Sequence, residues 1–191
     1  MKIVAVNGSP RLIGNTSSAL STLLDELEKS GYETEQLQIY DDELLPCNAC
    51  MSCRLRKDGR CINENDRFND YLQSMYDADA VILASPVYFG SVTSQMKIFM
   101  ERAGLCSRYG GQRLRRKAGA VMVVQGSRGG MMAHAELVNF LLDCQMVVCP
   151  SSECAVLTAE GPSDLEGEPR NLSIIKDLGR ELAWLTARLR E

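Results

Sequence analysis

Eight cysteines stand in a chain of 191 residues, and four of them, Cys47, Cys50, Cys53 and Cys61, fall at the spacing C-x2-C-x2-C-x7-C. Three thiolates set three residues apart wrap a compact cluster, because each can reach a different iron of one cubane. Structural zinc more often uses two separate C-x2-C knuckles. Disulfides do not persist in a reducing compartment. An iron–sulfur cluster, a zinc ion and free thiols are therefore the states open to these residues. Cys106, Cys144, Cys149 and Cys154 show no ligand spacing. Cys144 lies on an apolar helical stripe and reads as a small core residue. His134 is the sole histidine, which leaves histidine metal sites and Cys-His or Ser-His-Asp catalysis little to work with.

A second group of chemistry-bearing residues is the run Asn7-Gly8-Ser9-Pro10-Arg11-Leu12-Ile13-Gly14-Asn15-Thr16-Ser17. It joins an apolar strand to a helical pattern, so free backbone N–H groups and the helix dipole favour an anion there. Ser9, Asn15, Thr16 and Ser17 offer short donors, and Arg11 offers charge. Glycine spacing and the lack of a following lysine exclude a Walker A loop, and the G-x-G-x-x-G pattern is absent too. A plain helix start capped by Thr16 or Asn15 is the competing reading. Two further loops follow buried strands. In Pro86-Val87-Tyr88-Phe89-Gly90 the proline stiffens the turn and the glycine lets backbone pass close to a flat ligand. The alternative is a loop whose aromatics fill the core. Gln125-Gly126-Ser127-Arg128-Gly129-Gly130 suits close approach to a ring, with Ser127 as a donor, or a flexible surface loop.

The elements that position these loops follow from hydrophobic periodicity. Residues 2–6, 80–84 and 118–124 are apolar runs that read as buried strands, and 146–149 is a short last one. The segment around Leu37 and Ile39 alternates with glutamines and reads as an edge strand. Stripes at helical spacing run through Leu20–Leu27, Phe68–Met75, Met96–Ala103, Leu137–Cys144 and Ile175–Leu185. Asp66 is placed to cap the helix starting near Arg67. Strand and helix in regular order imply a parallel sheet covered on both faces. The expected fold is an α/β, flavodoxin-like three-layer sandwich with a five-stranded sheet of order 2-1-3-4-5. It forms one domain over residues 1–191 with a cysteine-rich insertion at about 45–65. Ligands in such sheets bind beyond the carboxyl ends of the strands at the switch point, where the three loops lie.

Gly8-Ser9-Pro10-Arg11, Gly14-Asn15-Thr16 and Ser85-Pro86-Val87-Tyr88-Phe89-Gly90-Ser91 together resemble the NADPH-dependent FMN reductase family. That resemblance implies FMN, its phosphate held by Ser9, Arg11, Asn15, Thr16 and Ser17. The isoalloxazine ring would meet Pro86, Val87, Tyr88, Phe89 and Gly90, with Tyr88 against its face. Pro46, the cysteine spacing and Arg60-Cys61-Ile62 are similar to the iron–sulfur flavoprotein branch, which carries a 4Fe-4S cluster; the gap before Cys61 departs from it. The implied function is electron transfer between cluster and FMN, without a protein acid or base. NAD(P)H or a ferredoxin-like carrier would be the donor. A cluster-free NAD(P)H-dependent FMN or quinone reductase and a non-enzymatic flavin or metal redox sensor are the alternatives.

A net charge of -4 argues against general nucleic-acid binding. No apolar run reaches membrane-span length. Lys2 leads straight into a strand with no leader pattern, so a cytoplasmic location is expected. Arg113, Arg115, Arg116 and Lys117 read as a solvated loop, or as a contact for NADPH phosphate or an acidic carrier. The Met131–Met132 pair reads as packing. A homo-oligomer, dimer or tetramer, is expected from the family likeness, with 54–59 and 107–117 as contact segments.

Overall fold

The computed structural model describes residues 1–40, 43–161 and 164–190. The elements run β1 (Lys2–Asn7), α1 (Asn15–Lys29), β2 (Glu33–Gln38), α2 (Ser52–Arg56), α3 (Phe68–Asp77) and β3 (Ala80–Pro86). They continue with α4 (Ser94–Tyr109), β4 (Ala118–Gln125), α5 (Gly130–Asp143), β5 (Val147–Val148), β6 (Val156–Thr158), α6 (Asp164–Gly167) and α7 (Pro169–Arg188). The strands pair in parallel in the order β2-β1-β3-β4-β5, with β6 also on β4. This is the expected flavodoxin-like α/β order, with one difference. The fifth position is shared: β5 pairs with Ala118–Gly119 and β6 with Val123–Gln125 of β4.

Alternating side chains of each strand face opposite layers. Val4, Val6, Val81, Leu83, Val121 and Val123 pack against α3, α4 and α5 through Phe68, Leu72, Phe99 and Leu141. Ile3, Ala5, Ala80, Ile82, Ala120 and Met122 pack against α1 and α7 through Leu20, Leu23, Ile175 and Leu182. Burial on both faces is why β1, β3 and β4 read as continuous apolar runs rather than alternating ones. It also fixes register, because a slip of one residue would send each strand's side chains to the wrong layer. Among the described residues, no helix is long and apolar enough to cross a membrane.

The parallel arrangement brings the loops after β1, β3 and β4 to one end of the sheet. The insertion leaves β2 at that same end, then runs back along α4. Arg54 lies over the Tyr109 ring at 5.9 Å, and Arg113 over Tyr76 at 4.1 Å. A Cβ on Gly110 would stand 2.2 Å from the Gly59 Cα, so only glycine allows this contact. The segments 54–59 and 107–117, expected at a subunit contact, thus meet each other within one chain. Lys117 does not project either; its Nζ donates to the Tyr76 carbonyl at 2.8 Å and to that of Ala78.

Candidate functional site

The loop after β1 is organised by Asn7, which is fully buried at the strand end. Its Oδ1 accepts from the Ser9 N–H at 3.0 Å, and its Nδ2 donates to Ser17 Oγ at 3.0 Å. Ser17 Oγ in turn donates to the Arg11 carbonyl at 3.1 Å, and the Arg11 N–H donates to Ser9 Oγ at 3.2 Å. From the neighbouring elements, Gln38 Nε2 donates to the Ser9 carbonyl at 2.6 Å and Thr93 Oγ1 to that of Gly8 at 2.7 Å. Neither Thr16 nor Asn15 caps α1. Gly14 occupies the cap position and makes no side-chain cap bond. The first-turn N–H groups of a helix started this way remain available to a ligand.

Ser9, Arg11, Asn15 and Thr16 line a cavity of about 180 Å³ with Pro86, Val87 and Tyr88. Ser17, grouped with them from sequence, does not line this cavity; it bonds Asn7 and the Arg11 carbonyl within the loop. Asn15 Nδ2 donates to the Gly161 carbonyl at 2.9 Å, while its Oδ1 is buried with no hydrogen-bond partner among the described residues. Ala159 and Glu160 also line this cavity. Sequence reading missed both, since they arrive through the three-residue strand β6.

A second cavity of about 550 Å³ adjoins the first through Val87 and Gly126 and is lined by Phe89, Gly90, Ser127, Arg128 and Met132. The Tyr88 and Ser91 N–H groups donate to each other's carbonyls at 2.9 and 3.1 Å, closing a tight turn. Phe89 and Gly90 at its centre have φ of 50° and 81°. Positive φ at both central residues defines a type I′ turn, a conformation bulky residues resist. The result is a fully exposed Phe89 ring at the rim; it does not fill the core. Gly129 has φ 88°, and a Cβ there would stand 2.9 Å from Gly90 Cα, so the two loops touch backbone to backbone. Met131 and Met132, expected to pack, are 57% and 69% exposed beside this mouth.

The four cysteines meet in a separate cavity of about 290 Å³, lined by Cys47, Cys50, Cys53 and Cys61 together with Arg102 and Cys106. Among the described residues, no group of three or more Cys, His, Asp or Glu is drawn together tightly enough to hold a single metal ion. A cubane asks for something else, four thiolates disposed round a volume with one iron each. Cys61 is fixed by Asn69, whose Oδ1 accepts from the Cys61 N–H at 2.9 Å and whose Nδ2 donates to its carbonyl at 3.0 Å. Hydrogen bonds from Ser52 hold the Cys50 thiol below its usual range, whereas burial pushes Cys53 up. Burial and the neighbouring thiols push the Cys106 thiol up strongly.

Sequence reading missed Cys106 and Arg102. Asp66, expected to cap α3, does not: Arg67 takes the cap position without a side-chain cap bond, while Asp66 accepts from the Phe68 N–H at 3.2 Å and forms a buried ion pair with Arg102 at 2.5 Å. Arg102 and Cys106 lie about 12 and 18 Å along α4 from Ser94, at a rise of about 1.5 Å per residue. The cysteine cavity therefore sits well down α4 from the loop end and shares no lining residue with the other two.

Comparison with known proteins agrees with this geometry. The model of the family described as NADPH-dependent FMN reductase matches residues 1–161. An iron–sulfur flavoprotein of Methanocaldococcus jannaschii is 33% identical over 190 residues, covering 96% of each chain. One from Archaeoglobus fulgidus is 32% identical over 180 residues, covering 93% of this chain and 87% of its own. Among solved structures, RosB with a bound riboflavin-phosphate intermediate superposes with a TM-score of 0.78 at 19% identity, over 100% of this chain and 80% of its own. An archaeal flavodoxin gives 0.65 at 15% identity over 100% of both chains. The structural likenesses fix the fold, and the sequence matches fix the lineage: the chain belongs to the NADPH-dependent FMN reductase family, alongside its iron–sulfur flavoproteins.

Proposed function

We propose that this flavin-dependent oxidoreductase transfers electrons between FMN, bound at the loops after β1, β3 and β4, and a 4Fe-4S cluster held by Cys47, Cys50, Cys53 and Cys61. The observation that carries the reading is that all four cysteines line one cavity while a separate, uncapped helix start meets a second one. When bound, FMN supplies one- and two-electron chemistry, which lets a two-electron partner exchange with a one-electron centre.

The protein's own part is binding and orientation. First-turn N–H groups of α1, Ser9, Thr16 and Arg11 would hold the phosphate. A ribityl hydroxyl would give Asn15 Oδ1 a donor where none stands among the described residues. Pro86, Val87 and Tyr88 would meet the ring, with Phe89, Gly90 and Ser127 at its outer edge. Backbone N–H groups aimed at the ring's polar edge would stabilise the charge that grows there on reduction. The larger cavity beside Phe89 and Met132 leaves room for a nicotinamide or another flat two-electron partner, and so favours NAD(P)H as a donor. A ferredoxin-like carrier would serve the cysteine side. The reading takes the chain as one domain, 1–191, assembled as a homo-oligomer in the cytoplasm.

Anaerobic purification tests it. Iron, sulfide, zinc and flavin are measured on the same sample, and heat-released flavin is identified by chromatography. About four iron and four sulfide per FMN are expected, as one 4Fe-4S cluster requires. Stoichiometric zinc without sulfide would make the cysteines structural, and FAD would refute the monophosphate site.

A further inference from the structure

Arg102 is the unusual residue of this molecule: a guanidinium 2% exposed in the middle of a helix, at the wall of the cysteine cavity. It donates to Asp66 Oδ2 at 2.5 Å and Oδ1 at 3.1 Å, to the Leu45 carbonyl at 3.0 Å and to the Asn63 carbonyl at 3.3 Å. It lies 4.0 Å over the Phe68 ring. Asp66 Oδ2 also accepts from the Leu45 N–H at 3.0 Å. Leu45 stands two residues before Cys47, and Asn63 two residues after Cys61. One side chain thus clamps both ends of the cysteine insertion. Cys61 lines the same cavity as this guanidinium.

Clamping alone does not explain a charge. A buried ion pair costs so much desolvation that apolar residues of equal volume hold a structure as well or better. What they cannot do is keep a cation facing the cavity. Four thiolates around an iron–sulfur core make a net anion, more negative once reduced, and net charge and hydrogen bonds to sulfur set the potential of such centres. Asp66 partly offsets the guanidinium; Arg102 lines the cavity and Asp66 does not.

We infer that Arg102 is a charge-positioning residue of the cysteine cavity. It fixes both ends of the insertion, and its cation, tempered by Asp66, favours the reduced form of the anionic centre bound there. The inference rests on the cluster reading above and adds to it a residue outside the ligand set.

The test is a mediated redox titration of anaerobically purified, full-length holoprotein, with the reduced cluster followed by electron paramagnetic resonance. Arg102→Gln removes the cation; Asp66→Asn leaves it unopposed. The expected result is opposite displacement. At the wild-type midpoint the reduced fraction falls severalfold relative to the oxidised one in Arg102→Gln and rises severalfold in Asp66→Asn. FMN content serves as the folding control. A merely structural clamp would loosen the same loop in both variants and move them together, which would overturn the inference. Should Arg102→Gln not accumulate folded, Arg102→Lys decides. It keeps charge without the fork, so the midpoint should stay near wild type while a chelator strips iron severalfold faster. A midpoint lowered in Arg102→Lys would overturn the inference. Wild-type protein without iron and sulfide would remove the cluster reading and this inference with it. A wild-type cluster whose variants shift in the same direction would remove the inference alone.

Discussion

Asn7→Ala isolates how far the loop after β1 is pre-built for its ligand. The side chain is fully buried and makes two bonds of 3.0 Å, one to the Ser9 N–H and one to Ser17 Oγ. At roughly 0.5–1.5 kcal/mol net for each bond, their loss amounts to about 1–3 kcal/mol. That total divides between two observables. Where the unliganded loop stays in place, the loss appears as stability, about 2–4 °C in Tm for each kcal/mol in a domain of this length. Where the loop loosens and FMN must order it, the loss appears in Kd, tenfold for each 1.4 kcal/mol. Apoprotein melting and titration of FMN fluorescence, run on the same preparation, should therefore give losses that sum to about 1–3 kcal/mol. Asn7→Asp refines the measurement. It keeps the acceptor for Ser9, loses the donor to Ser17 and places a negative charge beneath the anion site. Its FMN affinity should fall more than that of Asn7→Ala, and added salt should narrow the affinity gap. Wild-type Tm and Kd in Asn7→Ala would show that the network does not organise the loop. Wild-type affinity in Asn7→Asp would show that no phosphate sits above it.

Arg11→Ala should weaken FMN by about 1.5–3 kcal/mol, the range for a charged hydrogen bond; an unchanged isotherm would take Arg11 out of the site. Cys50→Ala should lose iron and sulfide with FMN still bound, because the phosphate loop is built from separate elements. The same variant should lose turnover with a ferredoxin-like donor and retain slower direct flavin reduction; ferredoxin-linked turnover at the wild-type rate would make the cysteines bystanders. Light scattering at micromolar concentration should return a dimer or tetramer, and a monomer would refute the assembly.

Much of this was legible because periodicity carries it. Val4, Val6, Val81 and Leu83 alternate with Ile3, Ala5, Ala80 and Ile82 between two layers, and such runs announce a doubly covered sheet. The loops could be found because the switch point of that sheet fixes where ligands go, and the loop glycines and short polar residues stand there. What escaped was set by tertiary contact. Arg102 lies on the stripe of Phe99 and Cys106, at i+3 and i−4, where the helical repeat calls for an apolar residue. That misfit was the available signal, but its partner Asp66 lies far off in sequence and was read as a local helix cap. Strand β6 is too short for a period-two signal, so Ala159 and Glu160 came to the cavity unannounced. Met131 and Met132 look like core by composition, yet the αL turn at Gly129 starts α5 with both directed outward.

The divided fifth position of the sheet bears on how copies of this protein can associate. Sheets grow by templating: a long exposed row of N–H and C=O groups recruits another strand. Here one flank ends in β5, of two residues, and β6, of three, drawn from separate stretches of chain. The opposite flank, β2, carries Glu33 and Glu35, the latter paired with Lys2 at 2.7 Å. Neither border offers the uninterrupted, uncharged ladder that a continuous intermolecular sheet needs. Short and charged borders of this kind disfavour edge-to-edge pairing and leave helix faces and loops as the surfaces for association. The same blunt borders protect the folded chain against runaway stacking.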